Sequence, residues 1–247
     1  MNKTSITWAD YTWNPITGCT NGCTYCYARK VTERFPACYP NGFAPTFWPE
    51  RLSEPEKLKK PSIIFVGSMG DIFDEAFSNE DIGRVFDVME QCRQHTFMVL
   101  TKQTDSVIGF WDYWLETRGD TEYEPGNIHF GFTVTNDGEF NDRIFDWNSW
   151  WSFVSIEPML EEVNMDLAYH DNHGHTEEVY PYKSLSLVIV GGITPGRPLH
   201  ETHPDWLDSI IEQCEAAGVA LHYKHQGKCP EYKGKVYNAL IDGRMGK

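Results

Sequence analysis

Positive charge is scarce in this chain: 21 Lys and Arg stand against 36 Asp and Glu in 247 residues, a formal net charge of −15. Attraction to phosphates supplies most non-specific affinity for nucleic acid, so this balance disfavours a general nucleic-acid binder. Long apolar runs are missing too. The longest reach four to five residues, far short of the roughly 20 that a membrane-spanning helix requires, so no membrane association is expected. The first residues, Met1-Asn2-Lys3-Thr4-Ser5, hold no basic stretch followed by an apolar one. No secretory signal is expected, and the protein is placed in the cytoplasm. Low-complexity tracts and obvious linkers are also absent. The cysteine count is seven, an odd number, which fits reduced thiols and metal ligation better than a disulfide framework.

What is present is the material of a packed core. Hydrophobic residues make up 40% of the chain and aromatic ones 14%, with nine tryptophans, a composition that excludes disorder. The length suits one large α/β domain over residues 1–247, with two small ones as the alternative. Charge is unevenly spread. Residues 1–60 carry eight Lys and Arg against five Asp and Glu, and residues 61–200 carry seven against twenty-four. Such a scatter is more often solvated surface than a binding edge.

Short apolar runs recur at 63–66, 97–100, 128–133, 153–156, 187–190 and 219–221. Most lack in/out alternation, as parallel strands buried on both faces do. A weaker run over 13–17 reads as a first strand. Helical faces lie between the runs. After Ser78, a cap, the residues Ile82, Val85, Phe86, Met89 and Cys92 make one stripe, with Cys92 as core rather than ligand. Val107, Ile108, Trp111 and Leu115 make another. Pro204 opens a third helix whose stripe is Leu207, Ile210, Ile211 and Cys214, and Gly218 ends it. Repeated βα units allow a doubly wound sheet or a full or partial barrel, and in either case function collects at the carboxyl ends of the strands.

The stretch 19–26, CTNGCTYC, places three cysteines in a C-x3-C-x2-C spacing. Cys19, Cys23 and Cys26 can converge on one metal centre. A four-iron cubane held by three cysteines keeps one iron free for a small molecule, and Arg29 stands where a ferredoxin run would supply a fourth cysteine. Structural zinc is the alternative. It usually takes two separated ligand pairs, so Cys23 would have to serve both.

The cysteine loop, its place after a first strand and the βα repeats together resemble the radical S-adenosylmethionine superfamily. Its signature is C-x3-C-x-aromatic-C on a partial barrel, with Tyr25 at the aromatic position. The stretches 8–27 (WADYTWNPITGCTNGCTYCY), 66–73 (VGSMGDIF) and 154–159 (VSIEPM), with Gly191-Gly192, HPDW at 203–206 and KHQG at 224–227, resemble the phage-associated three-Cys-motif family of radical-SAM-like proteins. If the chain is phage-encoded, its compartment is the host cytoplasm.

The resemblance implies an α/β fold, a partial (β/α)6-type TIM-like barrel of parallel strands with one extra C-terminal strand. It implies a [4Fe-4S] cluster on a loop at 18–27, S-adenosyl-L-methionine on the open iron, and a reductant such as flavodoxin or ferredoxin. Reductive cleavage would give a 5′-deoxyadenosyl radical that abstracts hydrogen from a small-molecule or nucleotide-level substrate. By the same resemblance Tyr25 stacks near the adenine, and Gly67, Ser68 and Asp71 receive the methionine amino group. Thr133, Thr135 and Asn136 meet the ribose or carboxylate of the cofactor, and Gly191 and Gly192 complete its cradle. Glu157 is expected to meet the ribose, a substrate donor or Arg143. Lys102, Lys224, His225 and Gln226 are expected at the barrel mouth, where a lysine suits an anionic group. Cys229 is a candidate hydrogen-atom donor.

Two departures stand out. Ile193-Thr194-Pro195-Gly196 follow the Gly-Gly pair, where relatives carry an acidic residue. Residues 164–184 read as an inserted loop, whose His170, His173 and His175 fit a solvated surface better than a metal site. The rival functions are nucleic-acid repair or modification by the same radical, and a non-catalytic metal-binding or assembly module.

Overall fold

The computed structural model describes residues 1–119, 125–145, 151–165, 167–169, 180–181, 185–192, 202–225, 227–241 and 243. Internal contacts divide the chain into two compact units, Met1–His129 and Phe130–Lys247.

The first unit carries β1 (Asn2–Lys3), β2 (Tyr11–Trp13), β3 (Ile16–Thr17), α1 (Tyr27–Arg34), β4 (Thr46–Phe47), β5 (Ile63–Val66), α2 (Asn79–Gln91), β6 (Thr96–Thr101) and α3 (Thr104–Glu116). Its sheet order is β1-β2-β5-β6. Tyr11, Thr12 and Trp13 run parallel to Ile64, Phe65 and Val66, and β5 runs parallel to β6. Only β1 is antiparallel here, pairing with β2.

The first strand lies before the run over 13–17 and shares only Trp13 with it. Asn14 and Pro15 break it, because proline has no N–H for a ladder. Beyond the break β3 pairs antiparallel with β4 in a separate small sheet.

Helix α2 begins as its sequence requires, with the Ser78 hydroxyl accepting from the Asp81 N–H at 3.1 Å. Its buried face is Ile82, Val85, Phe86 and Met89, and Cys92 is core. Helix α3 buries Val107, Phe110, Trp111, Trp114 and Leu115. Ile108, expected on that face, is 36% exposed; with Phe110 and Trp114 inside, the apolar stripe is centred away from it. Phe86 meets Phe110 at 4.7 Å and Phe73 meets Phe110 at 5.6 Å between ring centroids. Each fully buried ring contributes roughly 1.5–3 kcal/mol by area. Phe73 thereby anchors the loop after β5 in the core.

The second unit holds most of β7 (Ile128–Val134), then α4 (Asp137–Phe145), β8 (Trp151–Ile156), β9 (Ala168–Tyr169), β10 (Tyr180–Pro181), β11 (Leu187–Gly191), α5 (Pro204–Ala217), β12 (Ala220–Lys224), β13 (Glu231–Tyr232) and β14 (Lys235–Val236). Strands β7, β8, β11 and β12 run parallel in that order. Within 164–184, β9 and β10 pair antiparallel; His170, His173 and His175 lie outside the described residues. Helix α5 has Pro204 in its first turn and ends at Gly218, whose φ is +68°.

The fold class is α/β, with an eight-stranded, mostly parallel sheet of partial-barrel type. Helices lie between most successive parallel strands, as βα units require, the described residues between β8 and β11 carrying β9 and β10 instead, and β12 is the added C-terminal strand. No helix among the described residues is long and apolar enough to cross a membrane.

Candidate functional site

In the first unit the loops leaving β2, β5 and β6 meet at the carboxyl ends of adjacent parallel strands. The cysteine loop leaves first. Gly18 N donates to the Met69 carbonyl at 2.8 Å, and Gly18 bridges Gly70. A Cβ on Gly70 would lie 2.4 Å from the Gly18 carbonyl oxygen, and one on Gly18 would lie 2.5 Å from that of Ala44. Backbones this close leave no room for a side chain. Asn14 ties the same loops, its Oδ1 accepting from Ser68 Oγ at 3.1 Å and Met69 N at 3.0 Å.

Two buried carboxylates pin the residues between the cysteines. Asp74 Oδ2 accepts from Thr20 N at 2.6 Å and Thr20 Oγ1 at 2.8 Å. Asp71 is 4% exposed. Its Oδ1 accepts from Thr101 Oγ1 at 2.7 Å and Phe73 N at 3.2 Å; its Oδ2 accepts from Lys102 N at 2.8 Å and Asn21 Nδ2 at 3.3 Å. Gln103 Nε2 closes the ring by donating to Asn21 Oδ1 at 2.6 Å. Burial pushes the Asp71 carboxyl up, opposed by its bonds from Lys102, Thr101 and Phe73, while the charge of Asp74 adds to the rise. Four protein donors occupy its lone-pair directions. Asp71 thus holds the cysteine loop in place through Asn21.

Cys19, Cys23 and Cys26 are free thiols of intermediate exposure. Cys26 caps α1, its Sγ accepting from Arg29 N at 3.4 Å. Burial pushes the Cys19 thiol up to about 11; the Asn21 N–H opposes this, and the charges of Asp71, Cys26 and Asp74 add to it. Among the described residues no three His, Cys, Asp or Glu side chains group closely enough to share one ion. A cubane takes each thiolate on a different iron rather than on one shared ion. Three free thiols on one pinned loop are a donor set that fits it. Tyr25 lies on the same loop with Lys102 Nζ 5.4 Å from its ring centroid.

The second unit gathers other sequence candidates in two places. At the end of β7, Thr135 donates from both N (2.7 Å) and Oγ1 (3.0 Å) to Glu139 Oε2, and Asn136 Oδ1 accepts from Glu139 N at 2.9 Å. Arg143 pairs with Glu139 at 3.1 Å and donates to the Thr133 carbonyl. Thr133 and Thr135 are buried, so this group stabilises the strand-to-helix turn internally.

At the ends of β8, β11 and β12, Glu157 meets Lys224 at 2.8 Å. Lys224 is therefore the partner of Glu157, while Arg143 is taken by Glu139. A Cβ on Gly191 would lie 2.3 Å from Glu157 Oε1 and 3.1 Å from Lys224 Cγ, so Gly191 is glycine to admit this ion pair. Gly192 follows it with intermediate exposure. His222 sits behind the pair, fully buried, with Cys229 Sγ 3.4 Å from its Nε2. His222 carries no motif and is silent in the sequence. Gln226 and residues 193–196 lie outside the described residues.

A family described as "Protein of unknown function (DUF5131)" matches residues 3–245. No protein of curated function matches the sequence significantly. Among solved structures the fold is similar to a mutant spore photoproduct lyase with dinucleoside spore photoproduct. The TM-score is 0.54 at 12% identity, covering 87% of this chain and 77% of that one.

Proposed function

The chain belongs to the family described as protein of unknown function DUF5131, and from that premise we propose that it is a radical S-adenosylmethionine enzyme whose Cys19, Cys23 and Cys26 hold a [4Fe-4S] cluster. When bound, the cluster and S-adenosyl-L-methionine supply radical chemistry able to remove hydrogen from an unactivated C–H bond. The observation that carries this reading is the loop of three free thiols, fixed by the Gly18–Gly70 approach and by Asp71 and Asp74, at the carboxyl ends of parallel strands. The likeness in fold to spore photoproduct lyase supports it.

The chain's own residues orient and shield. Asp74 and Asn21 fix the backbone between the cysteines, and Gly67 and Ser68 stand in the adjoining loop as the proposed receiver of the methionine amino group. Lys102, over Tyr25, brings a cation to the loop, where it suits a carboxylate or phosphate. A low-potential protein such as flavodoxin or ferredoxin is the proposed electron donor.

Nucleic-acid repair or modification by the same radical is the second reading, in line with the dinucleoside in the similar lyase structure. It predicts binding to short oligonucleotides that weakens with salt. The primary test is anaerobic reconstitution with iron and sulfide, reduction, and addition of S-adenosyl-L-methionine. The expected product is 5′-deoxyadenosine, absent in Cys23→Ser. An intact cluster that yields none with any reductant contradicts the proposal.

A further inference from the structure

The second unit carries a thiol–imidazole pair that the proposed cofactor chemistry does not need. Three pieces of backbone build it. Strand β12 places His222 with no exposed surface. Past the strand, His225 and Lys228 exchange backbone bonds of 2.8 and 3.0 Å. That tight reversal returns the chain so that Cys229 Sγ comes within 3.4 Å of His222 Nε2. On the other side, Tyr223 N donates to the Tyr237 carbonyl at 2.9 Å and Ala239 N to the Leu221 carbonyl at 3.3 Å. This clamps the C-terminal segment along β12, and the Ala239 carbonyl lies 2.9 Å from His222 Nδ1.

A carbonyl only accepts, so Nδ1 carries the imidazole proton and Nε2 turns its lone pair to the Cys229 thiol. Burial pushes His222 below the usual histidine range; the Ala239 carbonyl and the charge of Glu157 oppose this, and Lys224 adds to it. The shift favours the neutral ring, the form in which Nε2 can act as an acceptor. Cys229 is only half-buried, unlike the enclosed Cys92 and Cys214. A nucleophile, a base and a third group orienting the base form the arrangement of an activated nucleophile.

We propose that Cys229 is a nucleophilic thiol served by His222 as general base and that it exchanges with low-molecular-weight disulfides, making it a reversible modification site. In the step, the Cys229 S–H proton passes to His222 Nε2 and the sulfur attacks one sulfur of the disulfide. A new S–S bond forms, the old one breaks, and the departing thiolate takes the proton from His222. The disulfide is the oxidant, and no other reagent is consumed. Exchange at sulfur needs access, a base and a leaving thiolate, whereas acyl transfer also needs donors aimed at an oxyanion. Glu157 and Lys224, whose charges act on His222, are paired with each other. This two-electron step is separate from hydrogen-atom donation and independent of any cluster on Cys19, Cys23 and Cys26.

The test incubates the full chain with oxidised glutathione from pH 6 to 9 and resolves each cysteine by peptide mass mapping, with exposed Cys38 as internal comparator. Cys229 is expected to form the mixed disulfide about tenfold faster than Cys38 at pH 7, with a much flatter pH profile. In His222→Gln the advantage is lost and the profile steepens to that of an ordinary thiol. The wild-type comparison stands even if that variant does not fold. Equal rates and equal pH profiles for Cys229 and Cys38 overturn the proposal.

Discussion

Gly70 and Gly18 approach so closely that a Cβ on Gly70 would sit 2.4 Å from the Gly18 carbonyl oxygen. The contact joins the loop after β5 to the loop that carries the thiols, so the proposed metal donors are located by backbone packing. Gly70→Ala is expected to displace the cysteine loop. The variant should lose about 1–3 kcal/mol of stability in denaturant melts and retain less than half the wild-type iron after reconstitution.

Asp71→Asn tests how the loop is held from below. The amide keeps one acceptor oxygen but turns a donor toward a neighbouring N–H or hydroxyl, leaving buried donors unmatched. A loss of about 1–3 kcal/mol is expected, together with faster alkylation of Cys23 in the metal-free protein. Unchanged stability and unchanged alkylation would mean that the ring through Asn21 and Gln103 does not hold the loop.

Cys19 gives a pH signature. Its thiol, pushed up to about 11 by burial, loses its proton less readily folded than unfolded. The stability tied to that proton is full below the ordinary thiol value near about 8.5 and is lost as pH rises through about 11. In metal-free protein, alkylation of Cys19 should climb about tenfold per pH unit between about pH 8 and 10, where an ordinary thiol levels off. A plateau near 9 contradicts the burial of Cys19. Since a coordinated thiol is deprotonated, cluster loading near pH 7 should also release a proton from this residue.

Glu157 and Lys224 are each other's partner at 2.8 Å, with side chains 16% and 21% exposed. Either Glu157→Gln or Lys224→Met strands a largely buried charge and should cost roughly 1–3 kcal/mol, and the double variant should cost less than the sum. Gly191→Ala should resemble the single variants, since its methyl would meet Glu157 Oε1. Additive losses in chemical melts would show that the pair is not coupled.

Local patterns were legible in the sequence. The strands at 63–66, 153–156 and 187–190, the Ser78 cap and the Gly218 stop follow from apolar runs, hydroxyl capping and the left-handed freedom of glycine. The three-cysteine loop was legible because its spacing is contained in eight residues. Long-range pairings were not. Thr20 and Asp74 lie 54 residues apart, and no periodicity couples them. The partner of Glu157 was open between a ligand group and Arg143, because strand order decides which side chains meet and Lys224 belongs to the neighbour of β11. His222 gave no signal at all. Its base-like setting comes from a hairpin and a C-terminal segment that fold back on β12. The shift of the helix face away from Ile108 has a similar cause, since Phe110 and Trp114 pack on Phe86 and outweigh the local stripe.

The most direct measurement is iron, acid-labile sulfide and zinc in protein purified and reconstituted without oxygen. The account predicts about four irons and four sulfides per chain, falling together in Cys19→Ser, Cys23→Ser and Cys26→Ser. One zinc per chain with no sulfide, unchanged by those substitutions, would contradict it.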